Sequence, residues 1–348
     1  MNVPKLRFKE FNDEYAKLKY KDVLKIKSGK DQKQVEDENG KYPILGTGGQ
    51  IGKTNSFLYD KPSVLIGRKG TINKPQYMES PFWTVDTLFY SHIYEPNIPK
   101  YLFYSFQNVN WKKYDESTGV PSLSSSTIES VECSIPSPNE QIKVANFLSL
   151  LDKKIELQSK KIEDLKLFKL YNYDNLFSNQ IREVQLKNIS KIEKGKQLNN
   201  ELLIENGRYY MLNGGVSPSG YTNEYNANEN TITISEGGNS CGYVNFNKNK
   251  FWCGGHCYKV IPNGINNNYL YHNLKYNEKK IMDLRVGSGL PNIQKKDIEN
   301  FKISIHNENE QLKISNYFDR YDLKIELEEL KLNKLMELKK GLMQNMFV

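Results

Sequence analysis

The chain has 348 residues, of which 38% are hydrophobic and 26% are charged, and its formal net charge is +8. This is the balance of a soluble globular protein, and the length suits two domains because a domain typically needs about 150 residues. We find no stretch apolar enough for a transmembrane helix or a secretory signal, and four scattered cysteines do not form a disulfide framework, so we expect a cytoplasmic protein without a membrane partner.

The sequence repeats itself at an offset of about 170 residues. NEQIKVANFLSLLDKKIE (139–156) and NEQLKISNYFDRYDLKIE (309–326) are identical at 9 of 18 positions. Weaker matches precede each copy, in the pairs KDVLKIKSGK (21–30) with KNISKIEKGK (187–196) and GVPSL (119–123) with GLPNI (289–293). Because this offset is too long for a solenoid repeat, it indicates a duplicated domain-plus-helix unit.

In chain order, the sequence predicts four segments. Residues 1–138 mix β-branched and aromatic residues in short runs such as PSVLIG and FWTVDTLFY, bounded by Gly, Asn and Pro, which is typical of strands. Residues 139–180 have the spacing of a long helix, residues 181–308 are again β-rich, with NTITIS and FWCGGHCYKVI, and residues 309–348 form a second helix. The predicted fold class is α+β, with two similar β-rich domains and two long helices.

The two helical segments share a seam of apolar residues at steps of seven, which is typical of a coiled coil. The expected packing residues are Leu148, Ile155, Ile162 and Leu165 in the first segment and Phe318, Ile325, Leu332 and Leu335 in the second. Ser137 or Asn139, and Asn307 or Asn309, are candidate helix caps. Because both copies lie in one chain, we expect them to pack against each other as a spacer. Two ordinary surface helices are the alternative.

Two motifs suggest cofactor chemistry but do not fit it. GTGGQIGKT (46–54) has Thr47 where a phosphate-binding loop needs glycine, and no helical pattern follows it. Cys241, Cys253, His256 and Cys257 could form a zinc cluster, but their spacing fits no common zinc finger. Small buried strand residues are the better interpretation of Cys253 and Cys257. No catalytic motif is visible, and we expect no metal and no cofactor on this chain.

Charge is shared unevenly between the segments. The helical segments together carry a net charge of +1, whereas the two β-rich segments carry +3 and +4. Two mildly basic domains on a nearly neutral spacer suit a partner with repeated negative charge, such as duplex DNA.

Several motifs together point to one known family. They are VLIGRKGTI (64–72) with PFWTVDTLFY (81–90), TGVPSL (118–123) with SGLPNI (288–293), and the duplicated helix starts at 136–156 and 309–326. In their order and duplication, the whole chain resembles the specificity subunit of a type I restriction-modification system. The second half departs from the pattern, because TISEGGNSCGYV replaces the GRKG run.

The resemblance implies two target-recognition domains, each contacting one half of a split site in double-stranded DNA. Two antiparallel helices would set the distance between the domains in a pseudo-two-fold arrangement. A helix over 152–177 spans about 39 Å at about 1.5 Å per residue, or about 11 base pairs. Two methyltransferase subunits would dock on the helices and restriction subunits would join that core. S-adenosylmethionine, ATP and Mg²⁺ would bind those partners, and this chain would have no catalytic activity.

The candidate DNA contacts lie in loops of the two β-rich domains. They are Arg68, Lys69, Lys53, Lys74, Ser122, Ser124, Arg285, Ser288 and Asn292. Arginine suits guanine edges, and lysine and hydroxyl groups suit phosphates. The alternatives are a solvated turn for the cationic residues and helix or turn capping for the serines and Asn292. Phe82, Trp83, Phe251 and Trp252 are expected in the core rather than stacked on bases, because duplex DNA hides its base faces.

The leading hypothesis is sequence-specific DNA recognition by a non-catalytic subunit. The alternative is an interaction scaffold whose recognition domains no longer bind DNA specifically. An enzyme is a third possibility, which the missing motifs disfavour.

Overall fold

The computed structural model describes residues 2–178, 182–287, 289 and 291–348. It divides into two compact units: Met1–Ser159 with Leu330–Val348, and Lys160–Glu329. We call them unit 1 and unit 2. Each contains one β-rich domain and parts of both long helices, so the α+β class expected from the sequence is confirmed.

The elements of the first domain follow the predicted pattern of short strands. Its strands are β1 (Ala16–Lys19), β2 (Leu24–Ser28), β3 (Tyr42–Gly46), β4 (Gly49–Thr54), β5 (Ser63–Gly67), β6 (Gln76–Met78), β7 (Trp83–Thr84), β8 (Leu88–Ile93) and β9 (Glu132–Ile135). Its helices are α1 (Tyr20–Val23), α2 (Pro99–Asn108) and α3 (Ser125–Ser130). The long helix α4 (Pro138–Phe177) follows.

The second domain repeats this order of strands. Its strands are β10 (Arg182–Gln185), β11 (Ser190–Lys194), β12 (Tyr209–Leu212), β13 (Gly220–Thr222), β14 (Thr231–Ser235), β15 (Val244–Asn247), β16 (Trp252–Cys253), β17 (Cys257–Pro262) and β18 (Lys302–Ile305). Its helices are α5 (Asn267–Tyr276), α6 (Glu278–Met282) and α7 (Lys295–Asn300). The long helix α8 (Glu308–Met346) follows.

The two domains have the same sheet topology. In the first, one sheet has the order β2-β8-β5-β6, a second has the order β4-β3-β7, and β1 pairs with β9. In the second domain the corresponding orders are β11-β17-β14-β15 and β13-β12-β16, and β10 pairs with β18. The pairs β3–β7 and β12–β16 are both parallel. The weak upstream sequence matches therefore mark a repeat of the whole domain fold.

Each unit is closed by the end of a long helix that packs on an aromatic residue of the domain. In unit 1, Phe347 follows the end of α8 and stacks on Tyr101 of α2, with ring centroids 5.3 Å apart. In unit 2, Phe177 at the end of α4 lies 5.6 Å from the ring of Tyr269 on α5. All four rings are buried, so burial of large aromatic surface holds each helix end in its unit.

The long helices run antiparallel where they meet. In unit 2, Lys161 of α4 pairs with Glu328 of α8 at 2.9 Å, and Lys169 of α4 pairs with Asp322 of α8. The residue numbers of successive partners increase along α4 and decrease along α8, as in an antiparallel pair. Of the predicted seam residues, the buried ones are Leu148, Ile162, Phe318 and Ile325, and the half-buried ones are Ile155, Leu165, Leu332 and Leu335. Across the residues described here, neither α4, α8 nor any shorter helix has an apolar span that could cross a membrane.

The repeated NEQ at the start of both long helices has a structural cause. Gln141 is buried, and its Oε1 accepts a hydrogen bond from the amide of Ile98 at 2.8 Å. Gln311 is also buried and accepts the equivalent bond from the amide of Asn266 at 3.3 Å. Each glutamine therefore ties the long helix to the residue that precedes α2 or α5. Asn307 caps α8, because its Oδ1 accepts from the amide of Glu310 at 3.0 Å.

The two motifs that suggested cofactor chemistry are parts of the sheets. The segment 46–54 lies on the β3–β4 hairpin, with β3 ending at Gly46 and β4 starting at Gly49, and no helix follows it. Cys253 and Cys257 are buried strand residues with free thiols. Within the described residues, no group of His, Cys, Asp and Glu side chains is arranged to hold a metal ion.

A buried ion pair joins the N-terminal segment to α4 in unit 1. The guanidinium of Arg7 donates to both carboxylate oxygens of Glu140, each at 2.8 Å, and the Tyr15 hydroxyl donates to the same carboxylate at 2.9 Å. The side chain of Glu140 is 1% exposed and that of Arg7 is 14% exposed. Hydrogen bonding to Glu140 raises the pKa of Arg7, so the guanidinium stays charged.

We predict that Arg7→Met lowers the free energy of unfolding by about 3–5 kcal/mol, because it leaves a buried carboxylate without its cation. Urea denaturation followed by circular dichroism measures the change. The matched control is Lys143→Met, which removes an ion pair with Glu10 whose side chains are about half exposed and should change stability by less than about 1 kcal/mol. Equal, small effects of both substitutions would show that Tyr15 alone suffices for Glu140.

Candidate nucleic-acid interface

The loop after β5 presents two cations on a fixed backbone. All residues of β5 are buried, whereas Arg68 and Lys69, which follow it, are exposed. The Arg68 amide donates to the Thr87 carbonyl at 2.8 Å, and the Leu123 amide donates to the Arg68 carbonyl at 2.9 Å. Gly70 has a φ of +86°, a conformation that favours glycine. Backbone hydrogen bonds therefore hold the loop, and both cationic residues are exposed to solvent.

This loop and the GVPSL segment, 50 residues apart in sequence, meet in one cleft. Lys69 forms an antiparallel bridge with Ser122, and the cleft has a volume of about 370 Å³. It is lined by Ser28, Arg68, Lys69, Phe89, Glu116, Ser122, Leu123, Ser124 and Ser125. Of the candidate contacts, Arg68, Lys69, Ser122 and Ser124 are thus brought together.

The hydroxyl of Ser124 is already used within the protein. It accepts a hydrogen bond from the Thr127 amide at 3.1 Å, as the N-cap of α3, and donates to the Glu116 carboxylate at 2.9 Å. Hydrogen bonds from the Thr127 and Ser124 hydroxyls hold the pKa of Glu116 below its ordinary value. The negative charge of Glu116 therefore partly neutralises the two cations of the cleft. These contacts support the interpretation of Ser124 as a helix cap rather than as a DNA contact.

Lys53 and Lys74 are exposed but lie in other places. Lys53 is on β4, in a cleft that it shares with Glu36 and Glu38. Lys74 lines a cleft of about 710 Å³ in unit 1, between the end of α2 and the long helices. The structure therefore does not bring these two lysines into the cleft of Arg68.

One candidate residue of the second domain, Asn292, lies against the equivalent loop. Asn292 bridges to both Gly237 and Val286, and its Oδ1 accepts from the side chain of Gln294 at 3.0 Å. Arg285 is exposed directly before this bridge. Ser288 lies outside the described residues.

The backbone after β14 repeats the hydrogen bonds of the loop after β5. The Glu236 amide donates to the His256 carbonyl at 2.9 Å, and the Ile293 amide donates to the Glu236 carbonyl at 2.8 Å. Glu236 therefore occupies the position of Arg68, with the opposite charge. Its side chain is buried and accepts from Lys194 Nζ at 2.5 Å and from the Tyr258 hydroxyl at 2.9 Å. Burial and the nearby Glu236 carboxylate raise the pKa of Tyr258, which stays a donor.

A cleft lined by lysines lies beside Glu236, and sequence reasoning missed it. It has a volume of about 470 Å³ and is lined by Lys191, Ile192, Glu193, Lys194, Gly195, Lys196, Asn226, Lys259 and Lys295. A signal was present, because the repeat 187–196 aligns Lys194 with Ser28, which lines the cleft of the first domain. Clustered ammonium groups are suited to a polyanion.

Three of the four aromatic residues lie in the core, and the indole groups of both tryptophans hold loops. Phe82 and Phe251 are fully buried, and Trp83 is 9% exposed. The indole Nε1 of Trp83 donates to the Lys30 carbonyl at 3.0 Å, and that of the half-buried Trp252 makes the equivalent bond at 2.8 Å. These contacts agree with the expected packing role.

Comparison with known proteins identifies the family of this duplicated fold. The model of the type I restriction modification DNA specificity domain matches residues 12–167 and 179–337. A putative type I specificity subunit of Mycoplasma pneumoniae is 35% identical over 161 residues, which cover 45% of this chain. The MjaIX specificity subunit of Methanocaldococcus jannaschii is 26% identical over 294 residues, covering 71% of this chain and 68% of that protein.

The first of these matches is partial. The chain spans 42% of the length of the M. pneumoniae relative and 36% of that of a similar Mycoplasma genitalium protein, which is 34% identical over 139 residues. The crystal structure of a type I restriction-modification S subunit from M. genitalium has the same fold, with a TM-score of 0.75 at 21% identity and 99% of both chains covered. With two family matches that together span most of its length, the chain belongs to the type I restriction-modification DNA specificity family.

Proposed function

We propose that this chain is the DNA-recognition subunit of a type I restriction-modification complex and reads a two-part site, one half with each β-rich domain. One observation carries the proposal. The loops after β5 and β14 have the same backbone hydrogen bonds but different side chains, Arg68 and Glu236. A constant backbone frame that carries different side chains is what two readers of different sequences need, because base edges are told apart by the donors and acceptors that face them.

We propose that the long helices carry the docking sites for two methyltransferase subunits. Large apolar side chains are about half exposed at equivalent positions of both helices. The pairs are Ile142 and Leu312, Leu157 and Leu327, and Phe168 and Leu338, with exposed fractions of 43% to 59%. Apolar groups that recur at equivalent positions support two copies of one partner. Restriction subunits would join that core.

Chemistry would reside in the partners. S-adenosylmethionine would bind the methyltransferase subunits, and ATP and Mg²⁺ the restriction subunits. The role of this chain would be to position those subunits on DNA. The net charges of +3 and +4 on the two β-rich segments neutralise few phosphates, so tight binding would need the partners' contacts as well.

The test is co-expression with the methyltransferase subunit encoded beside it, in a host without DNA methylation, followed by mapping of modified bases. We expect a two-part motif. Replacing residues 1–138 by the equivalent domain of a relative should change one half of the motif and leave the other half and the spacing intact, since each domain reads alone. The parent chain is the control. No new methylation would contradict the proposal and favour the scaffold alternative, and a change in both halves would contradict independent readers.

We predict that the length of the helices sets the spacing between the half-sites. Inserting one heptad after Ile162 and one after Leu332 preserves the heptad register of the apolar seam and lengthens each helix by about 10 Å. That is about three base pairs of rise and about 100° of rotation around the duplex. Methylation of the original site should fall sharply, because the duplex must deform to engage both domains, and it should recover on sites with a longer spacer.

The control is an insertion of four residues at the same two places, which breaks the heptad pattern and should lower methylation on every spacer length. Methylation is measured on a series of duplexes that differ only in spacer length. A heptad variant that methylates the original spacing normally and ignores longer ones would show that the helices do not set the distance.

A further inference from the structure

The second domain cannot use the cation that the first domain presents. Arg68 is exposed at the end of β5, and its side chain makes one weak bond, to the Asp86 carbonyl at 3.5 Å. At the same backbone position, Glu236 is 5% exposed. A buried carboxylate that already accepts two hydrogen bonds has no free face for a base. If the second domain reads its half-site at this loop, another group must supply the contact.

Lys194 is the group that Glu236 holds in place. Its Nζ lies 2.5 Å from Glu236 Oε1, while its side chain is still 53% exposed. The carboxylate is itself fixed by the Tyr258 hydroxyl at 2.9 Å, and His256 Nδ1 lies 3.6 Å from its other oxygen. A lysine side chain normally samples many rotamers. Here the buried anion restricts the ammonium to one place, at the wall of the lysine cleft.

A fixed ammonium is suited to a different task from a mobile one. A phosphate contact tolerates movement, because charge alone carries it, whereas discrimination between bases requires a donor at a defined point. An ammonium has three donors, and one is used by Glu236, so the others can reach acceptors in the major groove. Guanine presents two adjacent acceptors there, O6 and N7. The remaining lysines that line the cleft, such as Lys196 and Lys295, would then neutralise phosphates.

We propose that Lys194 is the specificity-determining contact of the second domain, reading a guanine of the second half-site, and that Glu236 is its positioning residue. Lys194 is then the counterpart of Arg68, moved from the end of β14 to the end of β11. This inference rests on the proposed function, since it needs a two-part DNA site.

The experiment uses the full chain in complex with its methyltransferase subunits. Methylation rates are measured on duplexes that carry single base-pair substitutions in either half-site. Lys194→Gln should reduce discrimination about tenfold or more at one G·C pair of the second half-site and leave the first half-site unchanged. Lys194→Arg should keep most of the discrimination, since arginine also pairs with guanine. Arg68→Gln is the matched variant, whose effect should fall on the first half-site only.

Glu236→Gln separates positioning from a merely structural role. Freeing the ammonium should lower discrimination at the same base pair, while the loss of one negative charge should raise binding to unrelated duplex. A structural defect would lower both. Lys302→Gln is the control for charge, because Lys302 has an exposed ion pair with Glu183 on β10 and should leave discrimination unaltered. If Glu236→Gln fails to fold, the two Lys194 variants decide, since that side chain is half exposed.

Two results would overturn the inference while the proposed function stands. One is a uniform loss of methylation on all duplexes with Lys194→Gln, which would make Lys194 a phosphate contact. The other is a second half-site without a G·C pair. If the parent complex methylates no two-part site at all, the proposed function itself fails, and this inference fails with it.

Discussion

The candidate interface of each domain depends on one antiparallel backbone bridge. In the first domain it joins the loop after β5 to the segment before α3, and in the second it joins the loop after β14 to the segment before α7. Lys69 bridges to Ser122 in the first domain, and Gly237 bridges to Asn292 in the second. Because only backbone groups make these bonds, the loop keeps its course whatever side chains it carries. An exposed arginine and a buried glutamate can therefore occupy one position of the fold without disturbing it.

Because the backbone hydrogen bonds of the loop do not depend on its side chains, the two clefts can also differ in charge. The first cleft places Arg68 and Lys69 against the ionised Glu116. In the second domain, the acidic Glu236 follows β14 and Lys194 lies at the end of β11, with β17 between these two strands. In both domains a carboxylate accompanies the cations. Glu236 fixes the position of Lys194, and Glu116 partly neutralises Arg68 and Lys69. The charged groups differ in kind and position between the two clefts, and their positions decide which acceptors of a duplex each domain would meet.

The long helices are held by more than their apolar seam. Lys169 is 11% exposed at its side chain and pairs with Asp322, and the buried Glu328 pairs with Lys161. Burial lowers the pKa of Lys169, and the attraction of Asp322 opposes this. A heptad seam alone permits a slip by one heptad, because every step of seven looks alike. A slip would separate these partners and leave charges buried without them, which is strongly unfavourable, so the ion pairs select one alignment.

The sequence by itself determined the duplication, the two long helices, the β-rich domains and the family. These properties are local or periodic: 9 identities in 18 aligned positions, apolar steps of seven, and short runs of β-branched residues can all be read along the chain. The core placement of Phe82 and Phe251 also followed, because large apolar side chains gain most from burial.

Only the tertiary structure decided which candidate residues share a site. Arg68 and Ser122 meet because strand pairing brings distant segments together, whereas Lys53 and Lys74, closer to Arg68 in sequence, face other clefts. The contact between Glu236 and Lys194 was missed for the same reason. Residues 42 positions apart become partners only when β11 and β14, on either side of β17, fold into one sheet, and no local pattern of residue types records that contact.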